Sequence, residues 1–116
     1  MHKANFDLTM VVDELRHNTR YIFGDRLRKI ILYGSYARGD YDEYSDLDIM
    51  VLADFEDSEH SRLQTEICKV ASRASLNHDV TVCISLNNER LFMSRLGISP
   101  YYQNVLAEGV QLYETQ

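Results

Sequence analysis

The chain has 116 residues, 45% hydrophobic and 26% charged, with one proline and five glycines. That unbiased composition excludes a disordered tail, a collagen-like repeat and a multidomain assembly, and predicts one domain over 1–116 burying roughly two-thirds of its unfolded surface. Twelve Lys plus Arg against eighteen Asp plus Glu leave a net charge of −6 without any basic stretch, which argues against long nucleic acid as a partner.

A polyanion bound to so acidic a chain needs divalent cations beside it, a first hint of a metal-dependent site. The two cysteines, Cys68 and Cys83, fall inside apolar patterns, and the expectation is two reduced, buried thiols in a cytosolic protein. Met1–Asn5 open no continuous apolar region, and no later run approaches about 18 apolar residues. The protein is therefore expected to be cytoplasmic, neither exported nor membrane-spanning.

In chain order, Leu8, Val11, Val12, Leu15 and Ile22 recur at three- and four-residue steps, predicting an amphipathic helix from Phe6 to Phe23 that Gly24 ends. Lys29–Tyr33 and Leu47–Ala53 are short apolar runs that fit buried strands. From Ser58 to Ala74, Leu63, Ile67, Val70, Ala71 and Ala74 keep helical spacing. The acids Asp54, Glu56, Asp57 and Glu59 stand before it, where a helix dipole favours them. This is the crossover helix, and Asp79–Ser85, rich in β-branched residues, is the third strand, placed beside the second. A turn at Asn87-Asn88, a short helix over Glu89–Arg95 and a last helix from Tyr101 to Glu108, stopped by Gly109, complete an α/β or α+β domain whose small sheet is covered by helices.

The polar segment between the first two strands carries the chemistry. Asp46 and Asp48 stand two apart at the mouth of a strand, so a period of two puts both carboxylates on one face. Held that close they repel, and a hard divalent cation such as Mg²⁺ is the economical explanation; a solvated strand end is the plainer alternative. Upstream, Gly34 lets the backbone approach a ligand, while the Ser35 hydroxyl and the amides that follow can donate to phosphate oxygens. Alone, Gly34-Ser35 reads as a turn before a capped helix. Joined to two carboxylates after a ten-residue spacer, it reads as phosphate binding on one side and metal binding on the other. Arg38 can reach a phosphate or hold the acidic loop through a salt bridge. Tyr33, Tyr36, Tyr41 and Tyr44 crowd the motif; base stacking by one of them competes with ordinary semi-buried packing.

Gly34-Ser35, ten residues, then Asp46-Leu47-Asp48 resembles the signature of the DNA polymerase β-like nucleotidyltransferase superfamily, in particular its minimal branch, which includes the MNT-type antitoxins encoded beside HEPN-domain toxins. The motif resemblance covers residues 29 to 53, and agreement in element order extends to about residue 85. It implies the nucleotidyltransferase fold, a nucleoside triphosphate such as ATP held through its β- and γ-phosphates by the Gly34-Ser35 turn, and two Mg²⁺ ions held by the acids. A third acid from a neighbouring strand completes such sites. Asp79 matches that position, as a metal ligand and as a base for the attacking hydroxyl; a cap on the strand end is its alternative. His78 beside it is expected to be structural. Larger relatives add a domain that holds the acceptor, whereas only about thirty residues follow the third strand here.

The resemblance therefore implies a macromolecular acceptor docking over an open site, with AMP passing from ATP to a tyrosine of a HEPN-type toxin. Two alternatives stand beside it: a non-catalytic module that neutralises its partner by occlusion, and a small-molecule nucleotidyltransferase working with a separate helical subunit. Three acids at metal-ligand positions argue against the first, since a module freed from catalysis has no need of their mutual repulsion.

Overall fold

The structure, a computed structural model, describes residues 6–114. Met1–Asn5, read above for their lack of an apolar stretch, lie outside the described residues, as do the last two of the predicted 1–116 domain. The elements are α1 (Leu8–Phe23), β1 (Leu27–Tyr33), α2 (Ser35–Arg38), β2 (Leu47–Ala53), α3 (His60–His78), β3 (Val82–Asn88), α4 (Glu89–Arg95), α5 (Pro100–Glu108) and β4 (Val110–Glu114).

The strands form one mixed sheet in the order β3-β2-β1-β4. β1 runs antiparallel to β2 and β4, and β2 runs parallel to β3; α3 makes the crossover that a parallel pair requires. Both faces of the sheet are covered. Ile30 and Leu32 of β1 and Leu47, Ile49 and Val51 of β2 pack beneath Val11 and Leu15 of α1 and Leu63, Ile67 and Val70 of α3. The alternate residues Ile31, Met50 and Leu52 meet Phe92 of α4 and Val105 of α5 on the other face. That two-sided burial is why β1 and β2 read as continuous apolar runs.

Local chemistry sets the boundaries. Asp7 caps α1 by accepting from the Thr9 amide at 2.9 Å, and Gly24, at φ 56, closes it. α3 runs a turn beyond Ala74. Its extra residues are held by α1: Asn77 Nδ2 donates to both Glu14 carboxylate oxygens at 3.3 Å, and His78 Nε2 lies 2.8 Å from Glu14 Oε1. Asp79 then takes the left-handed conformation, φ 54 and ψ 46, as the cap of α3. The third strand accordingly begins at Val82, not at Asp79.

One further expectation is corrected, and the sheet gains a strand. Cys68 and Cys83 are exposed rather than buried, because Cys68 lies on the outer side of α3 and Cys83 points away from the inward Val82 and Ile84. The tail after Gly109 forms a fourth strand, β4, paired with β1. Gly109 is needed there, since a Cβ would collide with the Val105 carbonyl and the Ile31 side chain. No helix among the described residues is long and apolar enough to cross a membrane.

Candidate active site

The site gathers where β1 ends and β2 begins. Tyr33 and Asp48 are register partners across this antiparallel pair, so the chain leaving β1 through Gly34 passes directly over the Asp48 carboxylate. Gly34 holds φ 76 and ψ −155, a region essentially reserved for glycine. A Cβ at this position would strike Asp48 Oδ2 and stand 3.3 Å from its Cγ. The glycine is thus required twice, by its torsions and by the carboxylate beneath it. Beyond it, α2 is a single turn, closed by the Arg38 amide donating to the Gly34 carbonyl at 3.1 Å and the Gly39 amide to the Ser35 carbonyl at 2.9 Å. The amides of Ser35, Tyr36 and Ala37 open that turn, where intrahelical acceptors are absent and phosphate oxygens can serve instead.

Asp46 and Asp48 act on one another. The Asp48 carboxyl is pushed above the ordinary carboxylate range, first by burial and then by the negative charge of Asp46, while Arg38 pulls it back down. Charge stored this way favours a cation. Two carboxylates of this kind suit Mg²⁺, which takes one or two protein carboxylates and keeps waters and substrate phosphates as its remaining ligands.

Reasoning from sequence missed Cys83. It is the register partner of Asp48 on β3, and its Sγ donates to Asp46 Oδ2 at 3.7 Å. Partial desolvation of the sulfur against the strand, and then the charges of Asp46 and Asp48, raise this thiol above its usual range, which favours its protonated form. The alternation Val82, Cys83, Ile84 was the available signal: with the two aliphatic residues inward, the cysteine faces the acids.

Asp79 stands elsewhere. It lines a cavity of about 400 Å³ together with Asp46, Tyr36, Ser75 and Thr81. Among the described residues, no three His, Cys, Asp or Glu side chains gather closely enough to hold one metal ion. The structure therefore brings Asp46 and Asp48 together and leaves Asp79 lining the same cavity as Asp46.

Arg38 is engaged in ion pairs, its Nε 3.2 Å from Asp40 Oδ2 and its Nη1 3.5 Å from Glu108 Oε2. It ties the acidic loop and the end of α5 to the α2 turn. The tyrosines mostly pack. Tyr36 stacks on Tyr41 with centroids 4.3 Å apart and planes 12° off parallel; Tyr33 meets Tyr101 edge-on at 6.1 Å, and its hydroxyl accepts from Tyr101 Oη at 3.0 Å. Burial above all holds the Tyr33 phenol protonated well beyond its usual range. Tyr44 is the exception, 84% exposed.

A Gly-Ser turn stands over an acid pair at the open end of a mixed sheet, and the chain belongs to the nucleotidyltransferase domain family, whose profile matches residues 12–108. Two proteins of Methanocaldococcus jannaschii, each provisionally named a protein adenylyltransferase, are 38% identical over 76% of this chain and 80% of their own, and 37% identical over 66% of this chain and 75% of their own. The fold matches a chain of a toxin–antitoxin crystallised with AMP-PNP, at a TM-score of 0.60 and 24% identity over 90% of this chain and 74% of that one. It also matches a chain of the complex between a tri-AMPylated Shewanella oneidensis HEPN toxin and its MNT antitoxin, at 0.55 and 21% over 93% and 73%.

Proposed function

We propose that this nucleotidyltransferase transfers AMP from Mg²⁺-bound ATP to a hydroxyl of a partner protein, a tyrosine of a HEPN-type toxin, and acts thereby as its antitoxin. The observation that carries the reading is the Asp48 carboxylate lying against the Gly34 turn, which puts a metal ligand and a phosphate-binding backbone within one substrate's length. The names of the two archaeal relatives and the contents of the two matched toxin–antitoxin structures support protein adenylylation and a toxin partner.

In this reading, Ser35 and the amides of the α2 turn hold the β- and γ-phosphates, and Asp46 with Asp48 holds Mg²⁺ on the triphosphate. Mg²⁺ held there would supply charge neutralisation for the transferring phosphoryl group. Arg38 fixes the turn through Asp40 and Glu108. Asp79, on the cavity side of Asp46, accepts the proton of the incoming hydroxyl. The acceptor approaches over the exposed side of Asp46, and a chain with net charge −6 favours a partner richer in positive charge, whose association slows as salt rises.

The test is to incubate the protein with α-labelled ATP, Mg²⁺ and the product of the adjacent reading frame. Label on a tyrosine of that product is the expected result. A stable complex that never acquires label, with the triphosphate intact, would favour neutralisation by occlusion.

A further inference from the structure

One phenol pair stands on the same face of the sheet as the acid pair and belongs to this chain. Tyr33 is the register partner of Asp48, and both alternate with residues of the α4/α5 face: Tyr33 packs with Ile31, Met50 and Phe92, and Asp48 is two residues before Met50. Directly opposed side chains on adjacent strands have their Cβ atoms about 4.5–5.5 Å apart. Gly34, which opens the phosphate turn, is the next residue after Tyr33. From α5, Tyr101 reaches down to this pair, its hydroxyl donating to Tyr33 Oη at 3.0 Å while its ring stays 48% exposed. A half-exposed hydroxyl is thus already tethered, through Tyr33, to the strand end that carries Asp48 and the Gly34 turn. Effective molarities for groups held near a reacting atom are large, about 10⁵ M and above when alignment is good.

We infer that Tyr101 is a site of self-adenylylation, modified by the chain's own active site when no partner hydroxyl competes for it. The inference rests on the proposed transfer of AMP from ATP. Tyr101 Oη attacks the α-phosphorus and forms a P–O bond; the bond to the β-phosphate breaks and pyrophosphate leaves. The phenolic proton of half-exposed Tyr101 leaves to water, so the net products are AMP-tyrosine, pyrophosphate and one proton. Tyr33 is a positioning residue in this step: its half-buried ring and hydroxyl hold Tyr101 in place.

A bulky anionic group on Tyr101 would stand over the Asp48 end of the sheet, repelling the triphosphate by charge and obstructing a partner by bulk. Self-modification would therefore lower the fraction of protein able to act on a partner.

The experiment is intact-mass analysis of the purified full chain after incubation with ATP and Mg²⁺ in the absence of any partner, followed by peptide mapping. One added AMP on Tyr101 is expected, absent in Tyr101→Phe and in Asp46→Asn, with Tyr101→Phe still adenylylating the partner. Tyr33→Phe, which keeps the ring but removes the accepting hydroxyl, should slow self-modification while leaving partner transfer largely intact. Wild type that adenylylates its partner yet gains no AMP itself, or gains it only at another residue, overturns the inference and leaves the proposed function standing. Wild type that transfers AMP to nothing overturns both.

Discussion

Replacing Gly34 with alanine separates the two demands made on that residue. At φ 76 and ψ −155 a non-glycine residue costs about 1–3 kcal/mol in backbone strain. The added Cβ also lands on Asp48 Oδ2, with Asp48 Cγ at 3.3 Å and Cβ at 3.4 Å, so the carboxylate must swing away or the turn must lift. For a domain of this length, each kcal/mol lowers the melting temperature by roughly 4 °C, giving an expected drop of about 4–12 °C. Movement of Asp48 should remove most Mg²⁺-dependent ATP binding in the molecules that still fold. Gly39→Ala is the matched control: Gly39 holds φ 84 with nothing within 4 Å of a Cβ. It should cost about 1 kcal/mol of strain and leave nucleotide binding unchanged. Thermal unfolding and calorimetric titration of ATP with Mg²⁺ measure both effects. A Gly34→Ala protein that binds ATP as wild type does would refute the packing of turn on carboxylate as the basis of the site.

Asp46→Asn and Asp48→Asn should each abolish Mg²⁺-dependent ATP binding in the same titration while leaving the metal-free fold as stable or slightly more so, because each relieves carboxylate repulsion. The pH dependence carries a definite sign. Asp48 has a folded pKa above its unfolded value, so its contribution to stability is present at low pH and lost as pH rises from about 4 through the raised folded value; melting curves of Asp48→Asn over that window should show this decline flattened. Asp79→Asn should spare most ATP affinity and lower AMP transfer to the partner by about 10²–10⁴-fold at saturating ATP and Mg²⁺, the range for loss of a general base; equal transfer by intact-mass analysis would remove Asp79 from the chemistry.

Much of this site is local and therefore legible in the chain. Gly34-Ser35 and Asp46-Leu47-Asp48 are tied to the ends of two strands whose apolar runs announce themselves, and a period of two dictates that the carboxylates share a face. α1 with its Gly24 stop, the crossover helix and the parallel placement of β3 beside β2 follow from periodicity and from the need to bury the sheet on both sides. What depended on tertiary contacts was hidden. Glu14 of α1 binds Asn77 and His78, which prolongs α3 and puts Asp79 in a left-handed cap rather than on a strand. β4 exists because β1 offers it a ladder; its five residues carry too little pattern to declare a strand alone. Cys83 became part of the acid cluster only when parallel pairing set it opposite Asp48, and Tyr101 meets Tyr33 across 68 residues of chain. Residue identity and short-range spacing determined which chemistry the chain can perform, because hydrogen-bonding period and charge repulsion act between near neighbours. The packing of distant segments decided which side chains surround that chemistry, because register and helix length are set by partners far away in sequence.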